Sequence, residues 1–308
     1  MEKKDSLQRK SEAVIAKIDC VLRKEPQKLA AINKGKEGRP FLYSDDLIMA
    51  ISFFRFYFCP KLRQTEALVR RMYGDSPDHT TIDRRLSTIK PKWAVINRKR
   101  SGRLLAIDAS GISVSDRGGY RDAKYGSKPK FYKLHAMIDV EDMELVDFRL
   151  TSEHVADNRK FLPIARESLA RGDTLYADGA YDAKDNFDYL GKNGIKAGIK
   201  IRKNFSINYR GSSARWKAVI EQFGIKTRRL KGRMHFLPAD GIVLDEDRIR
   251  YHQDKWKKKV GYGRRWLVEA FFSVFKRVYG NYASSRSWRK VKNEMTLKLL
   301  LYNALLKI

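Results

Sequence analysis

Two short apolar runs, each closing on a carboxylate, constrain this chain more than any other feature. They are Leu104-Leu-Ala-Ile-Asp108 and Thr174-Leu-Tyr-Ala-Asp178. Continuous apolar runs of this length, bounded by turn residues, are buried strands. An Asp closing such a strand is costly there unless it is paired or metal-bound. Phe131–Val140 and Glu144–Leu150 read as two further strands, joined by a tight turn at Glu141-Asp142. Asp157 is placed to cap a helix from Asn158 to about Ala170. A second helix covers Ala183–Lys192 and stops at Gly194, and Ile195–Ile201 is the last strand. The order is three strands, helix, strand, helix, strand. It predicts an α/β fold with a mixed five-stranded sheet flanked by helices.

A third carboxylate lies in the stretch Tyr262-Gly-Arg-Arg-Trp-Leu-Val-Glu-Ala-Phe-Phe-Ser-Val-Phe-Lys276. Read as one helix, steps of four and seven residues return to nearly the same direction. Tyr262, Arg265, Glu269 and Lys276 then share a face. Val268, Phe271, Phe272 and Phe275 form an apolar stripe that docks it on a core. The plain alternative is a solvated face with one i,i+4 pair between Arg265 and Glu269. A lone Asp at a strand end is likewise more often a cap or turn residue. The weight lies in the set: Asp108 and Asp178 on neighbouring strands, with Glu269 brought over them by a helix. Three converging carboxylates without paired histidines suit hard divalent ions, Mg²⁺ or Mn²⁺. Two such ions about 3.5 to 4 Å apart can activate a water and stabilise a leaving oxygen at a phosphodiester. His135 and His154 flank this region, and a hydrogen-bonded structural role is their default.

Charge points to the same substrate class. The chain of 308 residues carries 65 Lys+Arg against 36 Asp+Glu, a formal net charge of +29. The excess is spread along the whole chain and not gathered on one amphipathic helix, which favours nucleic acid over a membrane surface. The apolar stretches Leu47–Phe58 and Leu297–Leu306 are short and interrupted by Arg55 and Lys298, so neither spans a bilayer. Cys20 and Cys59 have no metal-ligand or redox spacing, and the start shows no signal peptide. A cytoplasmic, nucleoid-associated protein is expected.

The first hundred residues read as helical. One helix covers residues 8 to 24, followed by a loop through Pro26 and the run Asn33–Pro40. Further helices cover Leu47–Tyr57, capped by Ser44-Asp45-Asp46, and Gln64–Met72, closed by Gly74. A last one starts at Asp78 or Thr80 and runs to about Ile89. A helix, a turn and a short helix bearing Thr80, Thr81, Arg84 and Arg85 suggest a helix-turn-helix whose second helix meets DNA. The alternative is a plain helical subdomain with a basic exterior. A basic linker, Arg98–Gly102, separates this region from the sheet. The expected division is 1–100, for DNA binding and dimerisation, and 101–308, catalytic. Residues 203–258 form an insertion before the Glu269 helix, and an apolar helix from Val291 to Ile308 packs on the sheet.

The spacing of Tyr262, Arg265, Glu269 and Lys276 resembles the Tyr-Arg-Glu-Lys signature of DDE transposases of bacterial and archaeal insertion sequences. Ile107-Asp108-Ala-Ser resembles their first-Asp strand. Phe131-Tyr-Lys133-Leu-His135 resembles their second strand, and Tyr176-Ala-Asp178-Gly-Ala-Tyr181-Asp182 their second-Asp block. Ile201-Arg202-Lys203-Asn204 and Tyr302-Asn303 fit as well, so the resemblance covers about residues 40 to 308. It implies an RNase H-like fold whose Asp108, Asp178 and Glu269 bind two Mg²⁺, with Mn²⁺ able to substitute. It implies cleavage at terminal inverted repeats and attack of the freed 3′-hydroxyl on target DNA. By motif position, Tyr262, Arg265 and Lys276 would hold phosphate, and a homodimer would act on paired ends. Relatives place a base-stacking Trp in the insertion, for which Trp216 and Trp256 are candidates, with packing as the alternative for each. Two other functions remain open at this point: a DNA-binding regulator without transposition, and an RNase H-like nuclease. No arginine-histidine-arginine-tyrosine set supports a tyrosine recombinase.

Overall fold

A computed structural model describes residues 2–91, 100–114, 131–202, 212–225, 227–230, 233–236, 246–285 and 287–308. Residues 98–99 of the basic linker, Lys203-Asn204 and an apolar piece at 241–244 lie outside them. Leu104–Ser113 (β1), Phe131–Asp139 (β2), Leu145–Ser152 (β3), Thr174–Ala177 (β4) and Lys196–Ile199 (β5) form one sheet in the order β3-β2-β1-β4-β5. β1, β4 and β5 run parallel, with Tyr176 opposite Ala106 on one side and Gly198 on the other. The turn at Glu141-Asp142 joins β2 to β3, closed by Asp139 N–H donating to Glu144 O at 2.9 Å. This is the mixed five-stranded sheet that the order of strands and helices in the sequence predicts.

The apolar runs are buried because both sheet faces are covered. Leu105, Ile107, Leu175 and Ala177 are fully buried, and they pack with Phe161 and Ile164 of Asn158–Ser168 (α6) and Phe187 and Leu190 of Lys184–Lys192 (α7). Val219 and Phe223 of Ser213–Phe223 (α8) join the same cluster, so this helix of the interval read as an insertion belongs to the core. Beyond it come an antiparallel hairpin, Thr227–Leu230 (β6) with Arg233–Phe236 (β7), and Glu246–Val260 (α9). The adjacent starts of β1 and β4 are tied by a buried pair. Arg103 Nη2 lies 2.9 Å from Asp173 Oδ2, and the Arg103 N–H donates to Asp173 Oδ1 at 3.0 Å.

By internal contacts, the described residues of 1–94, 111–132 and 273–308 form one compact unit, and those of 95–110 and 133–272 another. In the first, helices cover Glu2–Leu22 (α1), Glu25–Asn33 (α2), Asp45–Phe58 (α3), Leu62–Tyr73 (α4) and His79–Leu86 (α5). Pro26, expected in a loop, instead sits in the first turn of α2, where a missing N–H costs no helix bond. Ser44 caps α3 as expected, its Oγ accepting from Leu47 N–H, and Gly74 closes α4. Trp288–Leu306 (α11) was expected on the sheet, yet its main packing is on α3 and α5. Asn293 donates to the carbonyls of Leu86 and Ile89 at 2.8 and 2.9 Å, and Lys290 pairs with Asp83. Within α11, Lys298 interrupts the apolar run yet is buried, because Glu294, itself buried one turn earlier, pairs with it at 2.9 Å. No helix among the described residues is long and apolar enough to cross a membrane.

Candidate active site

β1 carries the first carboxylate. The sequence ends this strand at Asp108, but β1 continues to Ser113, so Asp108 sits within it. Its Oδ1 accepts the Ala109 N–H at 2.8 Å, and its side chain is 22% exposed. Asp178 follows β4 and ends the strand chemically. Its Oδ1 accepts the Ala180 N–H at 2.8 Å and caps a 3₁₀ turn over Gly179–Tyr181. Asp182 then anchors this turn. Arg215 of α8 grips its carboxylate at both oxygens, 2.7 and 3.0 Å, and the Arg202 N–H adds a bond at 3.1 Å.

The third carboxylate, Glu269, stands on Trp266–Tyr279 (α10), docked by Val268, Phe271, Phe272 and Phe275, all buried. The helix was expected to begin at Tyr262. Instead Tyr262–Arg265 is a separate 3₁₀ turn, entered through Gly261 at φ +70°. Tyr262 stays within electrostatic reach of Arg265, Asp178, Asp108 and Glu269. Its hydroxyl donates to Ala177 O at 3.2 Å, and burial pushes its phenol up to about 12. Arg265 keeps the expected pair with Glu269 and also reaches Asp108, Nη1 to Oδ2 at 3.3 Å. A guanidinium therefore bridges two of the three carboxylates. Lys276 lies two turns beyond Glu269 on α10, half-buried, and burial holds its ammonium below the usual lysine value.

Burial pushes the Asp108 carboxyl up from 3.8 to about 6, against the pull of the Ala109 N–H. The charges of Asp178 and Glu269 add to the rise, and Arg265 opposes it. Asp178 and Glu269 are thus within electrostatic reach of Asp108. Among the described residues, no three ligand-type side chains already converge as a finished metal site. The donor set nevertheless suits a hard divalent ion. It is all oxygen, its central carboxylate is short of positive charge, and a cation already bridges two of its members.

The structure also brings in groups the sequence did not single out for this site. Tyr181 is fully buried, and its hydroxyl has no hydrogen-bond partner among the described residues. Burial, and then the charges of Asp108, Asp157 and Asp178, hold it well above the ordinary tyrosine value. Asp157, expected to cap α6, makes no capping bond and instead pairs with Lys133 at 3.1 Å. His135 is buried with Nε2 2.9 Å from Thr151 Oγ1, and burial pushes its imidazole down to about 4, so it is neutral. His154 is exposed. Trp256 is 3% exposed and packs on the Tyr262 ring at 5.1 Å, while Trp216 packs against the core.

At the other expected site, Asp78 caps α5 and accepts the hydroxyl of Thr80 and, at 2.6 Å, that of Thr81. Arg85 pairs with Asp45 and lies over the Phe41 ring. Thr80 and Arg84 are exposed, while Thr81 and Arg85 are partly buried.

Residues 99–304, more than half of the chain, match the model of a family described as "Transposase DDE domain". The chain belongs to that family. A transposase DDE domain implies nuclease and transesterase activity, and the family generally uses divalent metals. Among solved structures, the piggyBac transposase synaptic complex with hairpin DNA aligns at 11% identity and a TM-score of 0.44, over 92% of this chain and 70% of that one. The Drosophila P element transposase strand transfer complex aligns at 14% identity and a TM-score of 0.31, over 91% and 69%. In this transposase domain Asp108 lies within β1, Asp178 directly follows the adjacent strand β4, and Glu269 stands on α10.

Proposed function

We propose that this transposase cuts DNA strands at terminal inverted repeats and joins the freed 3′-hydroxyl ends to target DNA, as an insertion-sequence enzyme of cut-and-paste type. The observation that carries the reading is the Arg265 guanidinium lodged between Asp108 and Glu269, with Asp178 in electrostatic reach. Asp108, Asp178 and Glu269 would hold Mg²⁺, or Mn²⁺, through their carboxylate oxygens. When bound, two such ions polarise the attacking and leaving oxygens of an in-line phosphodiester displacement. Asp108 works ionised, and cation binding favours that form over the protonated one that burial favours. Arg265, freed from at least one carboxylate, is a planar double donor suited to a phosphate oxygen of the cleaved strand. Lys276 and Tyr262 are assigned to phosphate by motif position, and for Tyr262 that contact requires giving up the Ala177 bond.

The net charge of +29 supports a DNA substrate held by backbone neutralisation. Residues 1–100 form the DNA-binding and dimerisation region, with Thr80, Thr81, Arg84 and Arg85 on its DNA-facing helix, and 101–308 the catalytic region. Two copies act on paired ends, at the nucleoid.

The test is cleavage of a supercoiled plasmid carrying the gene and its native flanks, in Mg²⁺, Mn²⁺ or chelator, by wild type and Asp178→Ala. Metal-dependent cuts at repeated end sequences, absent in the variant while plasmid binding persists, are expected. Binding without cuts in either protein would replace the proposal with a regulator, and cuts scattered without regard to the ends with a general nuclease.

A further inference from the structure

We propose that Tyr176 and Tyr262 form a reciprocal clamp that sets the Glu269 helix against the Asp178 strand, making Tyr176 a positioning residue for the carboxylate site. Tyr176 OH donates to Val260 O at 2.9 Å, and Tyr262 OH donates to Ala177 O at 3.2 Å. Tyr176 and Ala177 are the last two residues of β4, immediately before Asp178. Val260 ends α9, and Tyr262 opens the turn that leads into α10. Each segment thus donates one hydroxyl and offers one carbonyl to the other. A single bond would leave the turn free to pivot, whereas two bonds in opposite directions fix both its distance and its rotation.

Neighbouring residues are fitted to this arrangement. Gly198 lies opposite Tyr176 in the sheet, and a Cβ there would come within 2.5 Å of Tyr176 Cδ1 and 3.1 Å of Leu175 O. The ring reaches Val260 because residue 198 has no side chain. Gly261, between the two clamped residues, takes φ +70°, where a Cβ would be strained, and that Cβ would also meet Arg264 Nη1 at 2.9 Å. Trp256, buried, braces the Tyr262 ring from α9. Tyr176 is 1% exposed, so no bulk water replaces a lost hydroxyl partner. The clamp matters to chemistry because carboxylates that share ions must hold their spacing. A misplacement of about 1 Å can cost roughly 100-fold in rate.

This inference rests on the metal-dependent reading above, so its test has two readouts. Tyr176→Phe keeps the ring and removes only the hydroxyl. Hydrogen–deuterium exchange of the metal-free protein should show faster exchange in peptides covering 258–268, with the rest of the chain unchanged. In plasmid cleavage, the Mn²⁺ concentration for half-maximal rate should rise about tenfold, the scale of one lost buried hydrogen bond, with DNA affinity unchanged. In exchange at 258–268 of the DNA-free protein, the Tyr176→Phe, Tyr262→Phe double variant should be little worse than either single, since both bonds hold one hinge; cleavage is read on Tyr176→Phe alone, because Tyr262 is also assigned to phosphate. Gly198→Ala, which crowds the Tyr176 ring, should shift the metal requirement in the same direction. Unchanged exchange at 258–268 in Tyr176→Phe, or an unchanged metal requirement, overturns the clamp. Strictly additive exchange effects in the double variant overturn it too. If the wild type fails to cleave, the functional reading falls and the clamp stands or falls on exchange alone.

Discussion

Replacing Asp108 with Asn should stabilise the metal-free protein while abolishing strand cleavage. The carboxyl is raised from 3.8 to about 6, a shift of 6 − 3.8, or about two pH units. At about 1.4 kcal/mol per unit, keeping Asp108 ionised in the fold costs about 3 kcal/mol at neutral pH. Asn keeps the size and the acceptor for the Ala109 N–H but sets an amide against Arg265, which takes back about 1 kcal/mol. The net gain is about 2 kcal/mol, or roughly 3 °C in midpoint for a chain of this size. A carboxyl whose folded-state pKa exceeds its unfolded value binds its proton more tightly in the fold. Its contribution to stability is complete below about pH 4, is lost as pH rises through about 6, and stays lost above. The gap between Asp108→Asn and wild type should therefore be full at pH 7.5 and nearly closed at pH 4. Thermal or urea unfolding in chelator reads both. Saturating Mn²⁺ should stabilise the wild type and not the variant, narrowing or reversing the order. A variant less stable than wild type at pH 7.5 in chelator, or a gap that ignores pH, would refute the argument.

His135 is pushed down to about 4 by burial, so its imidazole proton resonances should stay fixed between pH 8 and 5.5. A midpoint near 6.5 by NMR would show that the ring is solvated. Asp173→Asn leaves the Arg103 guanidinium buried beside a neutral partner, and should destabilise the protein by about 3 kcal/mol or more in urea unfolding. A loss under about 1 kcal/mol would mean that the pair is solvated or dispensable.

Much of the sheet was legible because its signals are local. Apolar runs marked β1 and β4, a turn dipeptide marked the β2–β3 connection, and apolar spacing marked the face of α10. Local signals also misplaced some ends. Asp108 looked like a terminator because polarity rises after it, yet pairing carries β1 on to Ser113. Pro26 looked like a loop residue, although the first turn of a helix tolerates it. Tyr262 looked helical because its spacing fits a period of 3.6, but it lies in a separate 3₁₀ turn entered through Gly261, with its hydroxyl on Ala177 O.

The order of carboxylates and cations along the chain was enough to point to the family, since residue types at fixed separations are properties of the chain alone. Tertiary structure decided which charges meet. Arg265 bridges Asp108 and Glu269 across 157 and 4 residues, Arg215 holds Asp182, and Tyr176 reaches Val260 through the gap left by Gly198. Such contacts depend on strand register and helix entry angle. Both are set by burial summed over the whole core, which no local stretch of sequence encodes.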